Sequence, residues 1–158
     1  MKKTMGLELI KDTTEISSEN KRVASFIKEH NLDVYDYGVI LNSVKEIDFF
    51  IEFFQKEDVY DSKYSLFKIE APEQKSVFTD FGFISNNDNA YLYEELIIPF
   101  TTSGNNEKDI LTALEQMDEH LVAIDHDTKK TIYFVERYHQ QLIEGIANAY
   151  NINVIFYL

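Results

Sequence analysis

The spacing of apolar residues predicts four helices. In four stretches of the chain, apolar side chains recur at helical spacing, so that each stretch has one apolar face. Ser43 and Glu46 have the spacing of a capping box, which supports the start of a helix at this point. Asn31 and Asn151 are suited to end the first and the last of these helices. The predicted helices cover residues 18–30, 44–56, 107–119 and 136–150.

Other apolar runs are rich in β-branched and aromatic residues, which is typical of strands. The predicted strands cover residues 34–41, 64–69, 77–84, 91–100, 121–125, 131–135 and 153–158. Turn-forming residues at 71–73 and 85–89 separate three of these runs, so we expect an antiparallel meander between residues 64 and 100. The last strand follows the last helix, and we expect a right-handed parallel crossover that makes this strand part of the sheet.

The predicted order of elements is α-β-α-β-β-β-α-β-β-α-β, which indicates an α+β fold. We expect residues 1–158 to form a single domain, because no repeat, low-complexity tract or long linker interrupts the chain. The prediction is one mixed, mostly antiparallel sheet of about six to seven strands with about four helices.

Composition excludes several classes of protein. The chain has no cysteine, which excludes disulfides and cysteine nucleophiles and fits a reducing compartment. Its five glycines are too far apart for a phosphate-binding loop, and its serines lack the G-x-S-x-G context of a hydrolase nucleophile. No apolar run approaches the roughly 18 residues of a membrane span. We therefore expect a cytoplasmic protein with no cofactor and no membrane contact.

The distribution of charge changes this picture most. The formal net charge is -13, and residues 76–128 contain eleven acidic residues against one basic residue, Lys108. Such a surface argues against direct nucleic-acid binding, because lysines and arginines neutralise the phosphates. It favours a basic protein partner, since complementary charge raises the rate and specificity of association. A requirement for solubility accounts for the same acidity without any partner.

These observations predict a non-enzymatic acidic binding protein that inhibits a basic, nucleic-acid-handling partner. A bacterial immunity protein or a phage counter-defence inhibitor fits this description, and partial mimicry of nucleic-acid charge is one mechanism for it. Tyrosines near the acidic segment add side chains of the type that anchors interfaces. The predicted partner-binding residues are Asp80, Asp88, Tyr91, Tyr93, Glu94, Glu95, Asp109, Glu115, Asp118 and Glu119.

A small metal-dependent hydrolase or nuclease is the alternative from another class. Its residues are either the Asp125, His126 and Asp127 triplet or the set Asp61, Glu73 and Lys75, of which the last two have the (D/E)-x-K form. The chain contains four such triplets where composition alone gives about two, so the motif carries little information. Because Pro72 predicts a turn at Glu73, we expect no catalytic strand there and no catalytic or metal-binding residue.

A homo-oligomeric assembly or regulatory subunit is the third possibility. A chain of this kind is stable only in its assembly, and a mass measurement in solution tests that directly.

Overall fold

The computed structural model describes residues 1–127 and 130–157. Within these residues the chain has an α+β fold with six helices and eleven strands. The strands form two antiparallel sheets, one of six and one of five strands, and one sheet is a half-barrel. The predicted fold class is therefore confirmed, whereas the prediction of one mixed sheet is wrong.

The chain forms two compact units. The first, called here the N-terminal unit, comprises residues 2–68 and 84–91. The second, the C-terminal unit, comprises Met1, residues 69–83 and the chain from Leu92 onward. The expectation of a single domain stays a prediction.

The N-terminal unit contains most of the six-stranded sheet, whose strand order is β2-β3-β1-β4-β7-β6. The strands of this sheet are β1 (Lys2–Leu9), β2 (Asp33–Tyr35), β3 (Gly38–Ile40), β4 (Tyr60–Ile69), β6 (Gly82–Ile84) and β7 (Ala90–Tyr93). The helices of this unit are α1 (Thr13–Glu19), α2 (Lys21–Glu29) and α3 (Ile47–Lys56), the last preceded by a 3-10 turn at Val44–Glu46. Apolar residues of all three helices pack with Leu7 and Leu9 of β1 in one buried core.

The sequence predicted one helix over residues 18–30, but the structure has two. Asn20 lies between α1 and α2 in an extended conformation, which breaks the helix. Its side chain accepts hydrogen bonds from the backbone N–H groups of Arg22 and Val23, so it caps α2. The second predicted helix is confirmed, because α3 buries Phe50 and Phe54 as the apolar pattern requires.

Strand β1 was not predicted, although it lies between β3 and β4 in the sheet. Its core residues Met5, Leu7 and Leu9 alternate with polar residues and with Gly6. Tyr64 is the cross-strand partner of Gly6, and its ring occupies the space that a Cβ atom at Gly6 would need. A glycine in the strand therefore permits close approach of an aromatic ring from the neighbouring strand.

The C-terminal unit is built on the five-stranded sheet, whose strand order is β11-β8-β10-β9-β5. Its strands are β5 (Pro72–Gln74), β8 (Ile97–Ser103), β9 (Leu121–Asp127), β10 (Lys130–Glu136) and β11 (Asn153–Phe156). Its helices are α4 (Phe78–Phe81), α5 (Glu107–Met117) and α6 (Gln140–Ala149), with 3-10 turns at Asp118–His120 and Arg137–His139. Helices α5 and α6 share one buried core with β8, β9 and β10.

The connectivity β8-α5-β9-β10-α6-β11 is that of the ferredoxin-like split β-α-β motif. Both β11 and β10 pair antiparallel with β8, so β10 and β11 run in the same direction with β8 between them. The predicted parallel crossover is thus correct in direction, and the last strand is part of the sheet, as predicted, at its edge. The predicted 121–125 and 131–135 hairpin is confirmed, although residues 128 and 129 of its connection lie outside the described residues.

The predicted meander between residues 64 and 100 is wrong. Half of the run 77–84 forms the short helix α4, and only its last three residues form β6. The run 91–100 is divided by a turn at residues 94–96 into β7 and β8, which belong to different sheets. A turn is predicted at Pro72, but this residue is the first residue of edge strand β5. The position tolerates proline because the missing N–H of proline removes no hydrogen bond between the strands.

Asp33 joins β2 to the loop at residues 85–89 inside the N-terminal unit. Its side chain is 5% exposed and accepts hydrogen bonds from five donors of the described residues, none of which is a cation. The donors are the backbone N–H of Val34 at 3.0 Å, Ser85 Oγ at 2.6 Å, Asn87 Nδ2 at 3.0 Å, Asn89 Nδ2 at 2.8 Å and Tyr91 OH at 3.0 Å. A buried carboxylate is tolerated here because neutral donors surround both of its oxygens.

We predict that Asp33→Asn lowers the free energy of unfolding by about 3 kcal/mol, because an amide presents its own donors to groups that need an acceptor. Tyr91→Phe is the matched control, since it removes a single donor and should cost about 1 kcal/mol. Urea unfolding of the three proteins measures both values. Equal stability of native and Asp33→Asn proteins would contradict this account of the loop.

Candidate partner-binding site

Helix α5 places three acidic residues on the surface of the C-terminal unit. The Asn106 side chain accepts a hydrogen bond from the backbone N–H of Lys108 and fixes the start of the helix. Ala113 and Met117 are buried in the core, so the opposite side of the helix faces solvent. Glu115 on α5, with Asp118 and Glu119 in the following 3-10 turn, is exposed there. We call these three residues the acidic face.

The position of the acidic face along α5 is unfavourable for the helix itself. Glu107 and Asp109 lie in the first turn, where the helix dipole stabilises negative charge. The acidic face lies at the other end, where the dipole favours cations, and the last turn of α5 contains no basic residue. Acidic residues at this end therefore need a reason other than the stability of the helix.

Two grooves flank α5, and Glu115 borders both of them. The first, called here the tyrosine groove, has a volume of about 430 Å³ and is lined by Leu111, Leu114, Glu115, Asp118, Ile124 and Tyr133. The second has a volume of about 440 Å³ and is lined by Glu115, Gln116, Glu119, His120, Leu142 and Ile146. Leu111 is 56% exposed and Leu142 is 40% exposed. The acidic face thus lies among exposed aliphatic side chains.

Glu94 and Glu95 lie in the turn between β7 and β8, beside a basic residue. Arg137 donates to the carbonyl oxygens of Glu94 at 2.7 Å, Glu95 at 3.1 Å and Ile97 at 3.0 Å. The sequence has two arginines, and Arg137 is the one in this unit. Its guanidinium offsets part of the negative charge of this turn, so the turn is a weaker candidate than the acidic face.

The other predicted partner-binding residues lie in several elements. Asp80 is exposed on α4, whereas Tyr93 is half-buried with its ring 5.7 Å from that of Phe83. Asp88 is exposed in the N-terminal unit, in the loop held by Asp33. Tyr91 belongs to the same unit and is 3% exposed, with its hydroxyl donated to Asp33. Burial removes Tyr91 from the proposed surface.

Part of the alternative hydrolase set is brought together in the C-terminal unit. Lys75 Nζ lies 2.8 Å from Glu73 Oε1 and 2.7 Å from Asp118 Oδ1, and His126 Nε2 lies 2.9 Å from Glu73 Oε2. The hydrogen bonds from Lys75 and then from His126 lower the pKa of Glu73. Those from Lys75 to Asp118 and then to Glu73 raise the pKa of Lys75. Each charge in this network already has a partner, which is typical of a surface ion-pair network.

The rest of the hydrolase set is placed differently. Asp125 is fully buried and accepts from the α-ammonium group of Met1 at 2.7 Å and from the backbone N–H of Ala71 at 3.1 Å. Asp61 belongs to the N-terminal unit, and the side chain of Asp127 lies outside the described part of the structure. Among the described residues, no group of three histidine, aspartate or glutamate side chains is arranged to hold a metal ion.

The comparisons find no matching family model, curated protein or solved structure. None of the helices in the described part of the chain has the length and apolar character needed to cross a bilayer.

Sequence reasoning did not identify Tyr133, Leu111 or Lys75 as parts of this surface. Tyr133 fits the strand pattern of β10, and Leu111 fits the helical pattern of α5. The sequence pattern therefore explains both residues by their secondary structure and predicts no role in binding for them. Lys75 was assigned to the (D/E)-x-K motif, and its contact with Asp118 joins residues far apart in sequence. The one sequence signal is the adjacent pair Ile110 and Leu111, because neighbouring helical positions point about 100° apart and do not both face the core.

We predict that Mg²⁺, Mn²⁺ and Zn²⁺ leave the melting temperature of this protein unchanged. A specific site at a metal concentration of 100 Kd would add about 2.7 kcal/mol to the stability. Thermal unfolding with each metal and with a chelator measures the shift. An increase of several degrees that Glu73→Gln abolishes would instead establish a metal site at Glu73.

Proposed function

We propose that this chain is a non-enzymatic inhibitor that binds a basic, nucleic-acid-handling protein through the acidic face of α5. The observation that carries the proposal is the placement of Glu115, Asp118 and Glu119 at the helix end where the dipole disfavours them. Residues retained at a cost in stability are typical of functional sites. The aliphatic side chains beside the acidic face add apolar contacts to its charged contacts.

The charge of the C-terminal unit supports the same proposal. Its sequence contains 14 acidic residues against five basic residues, so it carries most of the net negative charge of the chain. A field of this sign attracts a protein whose surface is built to bind phosphates. Inhibition then follows because the acidic face occupies part of the groove that nucleic acid would use. An immunity protein and a phage counter-defence inhibitor both fit this mechanism, and the cytoplasmic location stays a prediction.

We predict that the double variant Glu115→Lys and Glu119→Lys lowers the association rate with the partner at least about tenfold, because electrostatic steering is reversed. The same variant should raise the free energy of unfolding by about 0.5–1 kcal/mol, because lysines suit the C-terminal end of α5. The partner is first recovered from a lysate by affinity purification at low and at high salt. Surface plasmon resonance then measures the rates, and urea unfolding measures the stability.

The double variant Glu46→Lys and Glu70→Lys is the matched control, since both residues are exposed and the net charge changes by the same amount. We expect the control to retain most of the native association rate. Equal loss in both double variants would show that only net charge matters. Native binding by the Glu115 and Glu119 variant would contradict the proposed surface.

Inhibition is tested separately from binding. The purified partner is assayed for binding to labelled duplex DNA or RNA in the presence of the native protein. We expect the native protein to displace the nucleic acid and the Glu115 and Glu119 double variant to displace it at least about tenfold less effectively. A ternary complex of partner, nucleic acid and native protein would contradict competition for one groove.

A further inference from the structure

We propose that the tyrosine groove receives an arginine side chain of the basic partner. This inference rests on the proposed function and specifies which chemical group the surface recognises. The groove is defined by Leu111, Leu114, Glu115, Asp118, Ile124 and Tyr133.

The lining of the groove matches the three parts of an arginine side chain. Leu111, Leu114 and Ile124 form an aliphatic floor that can cover the methylene stem. Glu115 and Asp118 lie at the same groove and are exposed, so the Glu115 carboxylate and the Asp118 oxygen that does not pair with Lys75 can accept from a guanidinium. Tyr133 adds an aromatic ring, and guanidinium groups stack on aromatic faces more readily than ammonium groups do.

Tyr133 is held in place by its own packing. Its ring stacks against Phe100, with centroids 5.4 Å apart and an interplanar angle of 29°. It is half-buried against the core shared by α5 and α6. Burial, with a smaller effect from Glu73, raises the pKa of its hydroxyl, so the ring stays neutral near pH 7. A fixed aromatic ring reduces the entropy lost when a partner side chain stacks on it.

One carboxylate of this groove already pairs with a cation of the chain. Lys75 Nζ lies 2.7 Å from Asp118 Oδ1, which shows that this carboxylate accepts a cationic donor in the folded protein. Lys75 also pairs with Glu73, so it is held on one side of Asp118. An arriving guanidinium is planar and has several donors, so it can bind Glu115 together with the remaining oxygen of Asp118. Lys75 then competes weakly with the partner for Asp118.

The second groove lacks this combination. Its lining contains Glu115 and Glu119 but no tyrosine, and its ring is that of His120, whose Nε2 lies 3.3 Å from Glu119 Oε1. We therefore assign aliphatic contact to the second groove and arginine recognition to the tyrosine groove.

The test uses N-acetyl-arginine amide as the probe and N-acetyl-lysine amide as its matched control. Titrations of the native protein are followed by NMR of methyl and tyrosine ring signals. We expect the arginine probe to shift signals of Leu111, Leu114, Ile124 and Tyr133 and to bind about threefold more tightly than the lysine probe. Equal affinity of the two probes, or shifts confined to Leu142 and Ile146, would overturn the inference.

Variants give the second part of the test. Tyr133→Phe should keep the preference for arginine and Tyr133→Leu should abolish it, because the ring and not the hydroxyl makes the contact. Glu115→Gln should weaken binding of the arginine probe about threefold, whereas Glu70→Gln, at an exposed residue outside both grooves, should leave it unchanged. Lys75→Met should tighten binding about twofold, since it frees Asp118. An unchanged affinity in Lys75→Met would overturn the inference even where the Tyr133 variants fail to fold.

Failure of the inference is distinguishable from failure of the proposed function. A captured partner that needs Glu115 and Glu119 but binds Leu111→Gln and Tyr133→Leu normally overturns arginine recognition and leaves the inhibitor in place. The absence of any partner that depends on the acidic face overturns the proposed function, whatever the probes show.

Discussion

A carboxylate can be buried only where hydrogen-bond donors replace the water that it loses. This constraint determines where the acidic side chains of this protein lie. Among the described residues, Asp33 and Asp125 are the acidic side chains that lie in the interior. Asp33 is surrounded by neutral donors from its own strand and from the loop at residues 85–89. Asp125 binds an ammonium group and a backbone N–H. The contacts of Asp33 fix the loop at residues 85–89 in the N-terminal unit. The contacts of Asp125 fix the backbone that leads into strand β5 in the C-terminal unit.

Most of the other acidic residues lie at the surface. Their positions distinguish the carboxylates that stabilise the fold from those that we propose bind a partner. Glu107 and Asp109 stabilise the start of α5, and Glu73 is balanced by Lys75 and His126. Glu115 has neither role, and Glu119 Oε1 lies 3.3 Å from His120 Nε2. Both residues lie where the helix dipole opposes negative charge. The two grooves beside α5 add apolar contact area to the same surface. A partner of opposite charge is the simplest physical reason for this combination.

Local patterns were predictable from the sequence, and nonlocal pairing was not. The helices α3, α5 and α6 follow from apolar spacing, because burial of one helix face depends on neighbouring residues. Strand β1 was missed because Gly6, a residue type that is depleted in strands, lies between its apolar residues, and the role of Gly6 depends on Tyr64 in another strand. Asp109 and Glu115 of α5 and Asp118 and Glu119 of the following turn were predicted as partner-binding residues, and they stay a prediction. Their neighbours Tyr133 and Lys75 reach the groove through sheet pairing and an ion pair that no local pattern reveals.

The salt dependence of the association rate between the native protein and its purified partner tests the central claim most directly. Electrostatic attraction through the acidic face extends over about 30 Å at 0.01 M salt and about 3 Å at 1 M salt. The account predicts that the association rate constant falls steeply across this range while the dissociation rate constant changes little. An association rate constant that is independent of salt would contradict it.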